Sequence, residues 1–352
     1  MRYSTISSAF MALGLYASTA SAVFDAKSNS NVAVYWGQGR DQIGLSEVCE
    51  DPSIDIVNVG FVNYFPKKVG DYPGTNFANA CSGTNYNNTD GTESKLLNSC
   101  PGIGPGIKKC QANGKKVLLS IGGGYPHDYY LPSVEVAKYF AEFLWGAFGP
   151  QTAKWVRDGK PRPFGDAVFD GFDLDIEASE EPNPPFADYK WANYAAFVTH
   201  LKKELFPKAL GQYYISGAPQ CVIPDARLAD AIQNSLFDFI FVQFYNTPQC
   251  SVRAGLNEIQ GKPPNVNGAK FTFNDWVTWL NTYSLNKEVK IYIGLVGDTH
   301  GVEKDKESYL TPAEANTLIG YYFRRNRAIF GGVMLWEATV SKRNQLCNKN
   351  YG

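Results

Sequence analysis

The sequence predicts an α/β chain closed into a single-domain (β/α)₈ barrel (a TIM barrel) stabilised by disulfides, and three observations carry that prediction. Eight short runs rich in β-branched and aromatic residues alternate with helical stretches. The runs are near-continuously apolar rather than alternating, as expected of a parallel sheet covered on both faces. The 352 residues contain no linker, internal repeat or low-complexity segment, and eight such units fill one barrel. An open doubly wound sheet is the rival architecture. Its phosphate fingerprint is missing, because Gly122-Gly123-Gly124 is not a G-x-G-x-x-G opening a helix.

The elements follow in order. Asn31 to Gln38 is the first strand, closed by a glycine, and a helical patch then runs to about Cys49. Ile54 to Val62 is the second strand. Residues 66–100 read as a long polar loop rich in Gly, Asn and Thr, followed by a helical stretch around Ile107 to Ala112. Lys116 to Gly123 is the third strand. Val134 to Phe148 has the helical spacing of Val136, Phe140, Phe143, Leu144 and Ala147, with Ser133 placed to cap it. Asp170 to Glu177 is the fourth strand, and Ala187 to Phe206 reads as one long amphipathic helix. Tyr213 to Ala218 is the fifth strand, and Asp225 to Leu236 is helical. Phe237 to Tyr245 is the sixth strand, Asn274 to Tyr283 is helical, and Val289 to Leu295 is the seventh strand. Thr311-Pro312-Ala313-Glu314 is a capping box with proline at the first helical position, opening a helix to about Arg325. Ile329 to Trp336 is the eighth strand.

The fourth strand is unusual. Asp170-Gly171-Phe172-Asp173-Leu174-Asp175-Ile176-Glu177 places four carboxylates in eight residues. Residues 173, 175 and 177 share one face of a strand, and Phe172, Leu174 and Ile176 share the other. Burying one side while lining the other with acids is costly unless the acids are hydrogen-bonded or neutralised. A catalytic carboxylate set, a metal site and a solvated edge strand are the three readings of that pattern. An EF-hand loop is excluded, since it needs a turn glycine and a later Glu and is not interleaved with large apolar residues.

Composition narrows the function classes. The formal net charge is −1, so no basic surface points to nucleic acid. Aromatic residues make up 14% of the chain, a supply beyond core packing that suits stacking on sugars. The start reads as a secretory signal over residues 1–22, with Arg2, an apolar run from Ala9 to Ala17 and the small-x-small site Ala20-Ser21-Ala22. The expected mature chain begins near Val23, is extracellular, and forms one catalytic domain over residues 23–352. No other run is long enough to span a membrane, and the polar terminus from Ser341 to Gly352 is not a lipid-anchor tail. Asn87-Asn88-Thr89 is an N-glycosylation sequon in a polar loop. A monomer without cofactor is expected. The scattered His127, His200 and His300 are read as no metal site.

Seven cysteines in an exported chain imply three disulfides and one left over. Cys221 and Cys250 follow neighbouring strands five and six. Cys49 and Cys110 precede strands two and three on adjacent helices, and Cys81 and Cys100 share one loop. The layout therefore pairs Cys49–Cys110, Cys81–Cys100 and Cys221–Cys250, leaving Cys347.

In such a barrel the active site lies at the C-terminal strand ends. Those ends supply Tyr35, Trp36 and Gln38; Phe61 and Asn63; Ser120, Gly122 and Gly123; Asp173, Asp175 and Glu177; Gln243, Tyr245 and Asn246; and Trp336 and Glu337. Aromatic faces around a carboxylate pair suit a sugar. At these residues the sequence resembles the family 18 glycoside hydrolases, in particular the fungal and plant-type (class III) chitinases. The D-x-x-D-x-D-x-E signature falls on Asp170, Asp173, Asp175 and Glu177, and S-x-G-G on Ser120 to Gly123. Tyr35-Trp36-Gly37-Gln38, Gln243-Phe244-Tyr245-Asn246 and Ala218-Pro219-Gln220-Cys221 also look like the plant-type subgroup.

The resemblance implies substrate-assisted retaining hydrolysis of β-1,4-linked N-acetylglucosamine in chitin or its oligosaccharides, an exception to the two-carboxylate scheme. Glu177 would be the general acid. Asp175 would hold the acetamido group that attacks the anomeric carbon, with Asp173 behind it sharing a proton. Tyr245 would donate to the acetamido group, and Trp336 would floor the sugar. Tyr35, Gln38, Phe61, Gly122, Gly123, Gln243 and Asn246 would be further substrate contacts. Asp170 reads as structural, tying down the strand start. Two departures flank the groove: Gly39-Arg40-Asp41 stands where the plant-type pattern has Asn, and the 66–100 loop is long. An inactive chitin-binding lectin or inhibitor on the same fold and an endo-β-N-acetylglucosaminidase are the alternatives. The first usually lacks the terminal Glu, which is present here.

Overall fold

Eight parallel strands close on themselves in this computed structural model, which describes residues 24–126, 129–302 and 305–344. The barrel strands are β1 (Asn31–Trp36), β2 (Ile56–Tyr64), β3 (Lys116–Gly123), β4 (Gly171–Ile176), β5 (Tyr214–Gly217), β6 (Phe239–Gln243), β7 (Lys290–Val296) and β8 (Phe330–Trp336). Each pairs with its sequence neighbours, and β8 returns to β1, so no barrel edge is left open. Residues 1–22, expected to be a secretory signal, lie outside the described residues, as do His127 and Cys347.

Alternation along the strands sorts the core into two parts. Outward residues such as Val57, Val59, Leu119, Ile121, Phe172 and Leu174 pack beneath the helices in the larger cluster. Inward residues such as Tyr35, Ile56, Leu118, Phe241, Tyr292 and Met334 fill the barrel. Both faces are therefore buried, which is why the runs read as continuously apolar.

Helix starts follow their caps. Ser133 accepts from the Val136 N–H and opens Val134–Phe148. Thr311 and Glu314 form the reciprocal box that opens Pro312–Arg325.

Other segments differ from expectation. The long helix over Ala187–Phe206 is a series of turns to Asn193, an α-helix over Tyr194–His200, a π turn over Leu201–Leu205 and a 3₁₀ turn over Phe206–Lys208. Tertiary bonds take the first part: the Tyr189 hydroxyl donates to the Ser179 carbonyl at 2.6 Å, and the Asn193 amide donates to the Leu131 carbonyl at 2.7 Å. The helix expected over 225–236 shrinks to Ala229–Asn234, because Asp225 and its neighbours build a loop. Short helices over Ala153–Arg157, Val252–Ile259 and Ala338–Arg343 were not anticipated.

The 66–100 loop is structured. Gly74–Thr75 pairs antiparallel with β2, and Asn85–Asn87 with Glu93–Leu97 forms a hairpin on which Asn87 is exposed. The three disulfides join Cys49–Cys110, Cys81–Cys100 and Cys221–Cys250, at Cα separations of 4.6, 5.2 and 5.8 Å. No described helix is long and apolar enough to cross a membrane.

Candidate active site

The inward face of β4 carries the acids. Asp173 is fully buried and surrounded by hydroxyls: Tyr35 donates to Oδ2 at 2.7 Å, Ser120 to the same oxygen at 2.6 Å, and Ser216 to Oδ1 at 2.6 Å. Burial pushes its carboxyl up from the ordinary range, and the three hydroxyls oppose that shift. Tyr35 is itself pushed well up, first by burial and then by the charges of Asp173 and Asp175, so it remains a donor.

Asp175 is 3% exposed and accepts from the Gln243 amide at 2.8 Å. It also shares a hydrogen bond with Glu177. Its carboxyl is held well above the usual range by burial, by repulsion from Glu177 and Asp173 and by that bond. Two carboxyl groups can hydrogen-bond to each other only if one keeps a proton. The sequence reading put the shared proton between Asp173 and Asp175; here the carboxyl–carboxyl bond is Asp175–Glu177, because hydroxyls already occupy Asp173.

Glu177 is half-buried, one residue past the end of β4, with Oε2 3.8 Å from where a Gly124 side chain would begin. Tyr245, 5% exposed, has its hydroxyl pushed well up by burial and then by Asp175, Glu177 and Asp173, which puts it within the field of all three acids.

Above the acids lies an aromatic mouth. Trp336 stacks near Phe61 at 6.2 Å and tilts against Tyr35 at 5.5 Å, facing inward. Phe61 gets there through a bulge. Gly60 pairs with Ser120 and Val62 with Ile121, so Phe61 is an extra residue that leaves the ladder and turns in with Ile56, not out with Val57 and Val59. Its backbone bonds instead to Asn76, with N–H to carbonyl distances of 2.8 and 2.9 Å. A groove of about 280 Å³ runs between Gln38, Phe61, Asn63, Asn76, Gly124, Tyr125 and Trp336.

The structure brings Tyr35, Phe61, Trp336, Tyr245 and the three acids to one mouth, but several expected substrate contacts have other work. The Gln243 amide nitrogen donates to Asp175 at 2.8 Å and to the Ala218 carbonyl at 3.0 Å. The Gln38 amide donates to the Gly60 and Asn76 carbonyls at 3.2 and 2.9 Å, holding the bulge while lining the groove. Gly122, at φ +107°, lets the Asp175 carbonyl approach to 2.0 Å from where a side chain would start, and Gly123 leaves room for the Phe61 ring at 2.9 Å. Asn246 holds a left-handed turn at φ 61° directly after Tyr245. Asp170 accepts from the Val117 N–H at 3.0 Å, Gln111 at 2.8 Å and Lys116 at 3.0 Å, at the opposite end of the strand from the acids.

Ser216, Asn76 and Tyr125 were missed. Ser216 was legible as a lone hydroxyl on an apolar strand whose register places it beside Asp173; the other two come from loops. The Gly39 departure also has a physical account. A side chain there would start 2.7 Å from the Glu337 carboxylate, which caps the final helix.

Comparison with known proteins agrees with this geometry. Residues 31–350 match the glycosyl hydrolases family 18. Endochitinase A1 of Aspergillus fumigatus is 46% identical over 329 residues, covering 93% of this chain and 37% of that protein. Endochitinase 2 of Coccidioides posadasii is 44% identical, covering 91% of this chain and 35% of its own length. The chain thus spans little more than a third of these relatives. Among solved structures, a chitinase from Ipomoea carnea is 26% identical with a TM-score of 0.67, covering 92% of this chain and 97% of its own. A xylanase and α-amylase inhibitor protein from Scadoxus multiflorus is 28% identical with the same TM-score, covering 90% and 96%. The closed barrel, the acid ladder on β4 and the match across almost all of the described residues have one reading: this chain belongs to family 18 of the glycosyl hydrolases.

Proposed function

We propose that the chain is an exported chitinase that hydrolyses β-1,4-linked N-acetylglucosamine in chitin or chitooligosaccharides by substrate-assisted retaining catalysis. The observation that carries the chemistry is the hydrogen-bonded Asp175–Glu177 carboxyl pair beneath the aromatic mouth. The names of the fungal relatives support the substrate.

In this mechanism Glu177, nearest the groove, delivers its proton to the glycosidic oxygen, and Asp175 then turns to the acetamido N–H of the sugar. The acetamido oxygen attacks the anomeric carbon and forms a cyclic oxazolinium. The Asp175 carboxylate stabilises its positive charge, and the Tyr245 hydroxyl bonds the acetamido oxygen. Water then opens the ring, with Glu177 acting as base. Asp173, held by three hydroxyls, supplies a fixed negative charge behind the pair. Trp336 offers a face for the sugar ring.

Glu177→Gln is expected to lower turnover of chitooligosaccharides by about 10²–10⁴-fold while binding, followed by tryptophan fluorescence, persists. Near-normal turnover in this variant refutes the assignment. Binding without turnover in the wild-type chain identifies a lectin or inhibitor instead, and cleavage of N-glycans in preference to chitin identifies an endo-β-N-acetylglucosaminidase. Three disulfides support export, which the thiol count of secreted material checks.

A further inference from the structure

The loop after β5 has a hold on the acid that the signature motifs do not include. Asp225 is 4% exposed, and its carboxylate takes three backbone N–H groups: Gln220 at 3.0 Å, Arg227 at 2.9 Å and Leu228 at 2.7 Å. Those bonds fold residues 220–228 into a closed loop, anchored by the Cys221–Cys250 disulfide. The loop presents Arg227, whose Nε and one Nη donate together to the Ala178 carbonyl at 2.8 and 2.6 Å.

Ala178 is buried and directly follows Glu177. The sheet does not hold this point. On the β3 side the last paired residue of β4 is Ile176, and on the β5 side it is Leu174, whose carbonyl accepts from Ala218 at 2.9 Å. Glu177 therefore lies beyond the ladder, and the guanidinium of Arg227 supplies the rung that the sheet lacks. The two residues just before the loop hold the partner of Asp175: the Gln243 N–H donates to Pro219 at 2.8 Å, and the Gln243 amide bridges Ala218 and Asp175. Residues 218–228 thus contact the pair at two removes, at Asp175 through Gln243 and at Glu177 through Arg227 and Ala178.

We propose that Arg227 is a positioning residue for Glu177, fixing the backbone just past the acid and so the direction in which its carboxyl meets the scissile oxygen. The proposal rests on reading Glu177 as the acid. A planar fork that donates twice to one carbonyl fixes position and orientation together, which a single ammonium does not. Small misplacements of a reacting group cost up to about 10²-fold in rate.

The test compares wild type, Arg227→Ala, Arg227→Lys and Glu177→Gln on a chitooligosaccharide, with kcat and KM separated, pH–rate profiles and Tm. Arg227→Ala is expected to lower kcat roughly 10–100-fold with KM nearly unchanged and to shift the pH profile. Millimolar guanidinium is expected to restore part of the rate. Arg227→Lys is expected to fall between Arg227→Ala and wild type at wild-type Tm, and it carries the test if the alanine variant does not fold. A normal kcat in Arg227→Ala, or in Arg227→Lys where the alanine variant does not fold, overturns the proposal. So does a loss that tracks Tm and is not rescued. An inactive Glu177→Gln beside a normal Arg227→Ala sinks this proposal alone. An active Glu177→Gln sinks the reading of the acid and this proposal with it.

Discussion

Asp173 and Asp175 sit two residues apart on one strand face, yet their surroundings treat them differently. Asp173 has three hydroxyl donors, whereas Asp175 has one amide and an acidic neighbour. A carboxyl whose folded-state pKa is raised binds its proton more tightly folded than unfolded. Folding is then favoured below the ordinary carboxylate range and progressively opposed as pH rises towards the folded value. Asp175 therefore costs the molecule stability at neutral pH, a cost accepted for chemistry. Asp175→Asn is expected to raise Tm at neutral pH by on the order of 2–5 °C while abolishing most activity. The difference should shrink as pH falls through ~4, the value of an unfolded aspartate, and nearly vanish below it, where wild-type Asp175 is protonated both folded and unfolded. A Tm gap that widens on acidification contradicts this account. The acids themselves were legible because a period of two with large apolar residues between them has few uses. Which carboxyls share the proton was not, since that depends on hydroxyls brought from β1, β3 and β5.

Among the elements, an aspartate just before an even-numbered strand repeatedly ties down its neighbour. Asp55 accepts from the Val32 N–H at 2.8 Å, Asp170 from Val117 at 3.0 Å, and Asp238 from Ile215 at 2.7 Å. Asp170 belongs to the signature by sequence and to this set by position. Asp170→Asn is expected to cost about 1–3 kcal/mol of stability, seen as a fall of a few degrees in Tm, with kcat within about twofold of wild type. A large loss of kcat at unchanged Tm would move Asp170 into the chemistry. The strands were readable because each is buried on both faces and short. The helix expected over 187–206 was not, because Tyr189 and Asn193 bond to distant backbone and override local periodicity. Likewise, the strands inside 66–100 carry no apolar run to announce them; cross-strand partners and the Cys81–Cys100 disulfide hold them.

For the whole molecule, barrel closure and three covalent links act on different states: closure removes open edges, and the disulfides restrict the unfolded chain. The widest link, Cys49–Cys110, spans a sequence separation of 61 and is worth about 4 kcal/mol on chain-entropy grounds. Material recovered from culture medium is expected to begin near Val23 and to show one titratable thiol when unfolded without reductant, that of Cys347, rising to seven after reduction. Three or more thiols before reduction would argue against export through an oxidising compartment. The odd residue at Phe61 reaches further than its own ring. Every position after it in β2 has had its inside and outside exchanged. Losing that one residue would leave Val62 paired with Ile121 and still facing out, but would remove the ring from the mouth and the two backbone bonds that tie β2 to Asn76. The wall of the groove at Phe61 and Asn76 thus hangs on one supernumerary residue, a constraint that residue-by-residue substitution would never reveal.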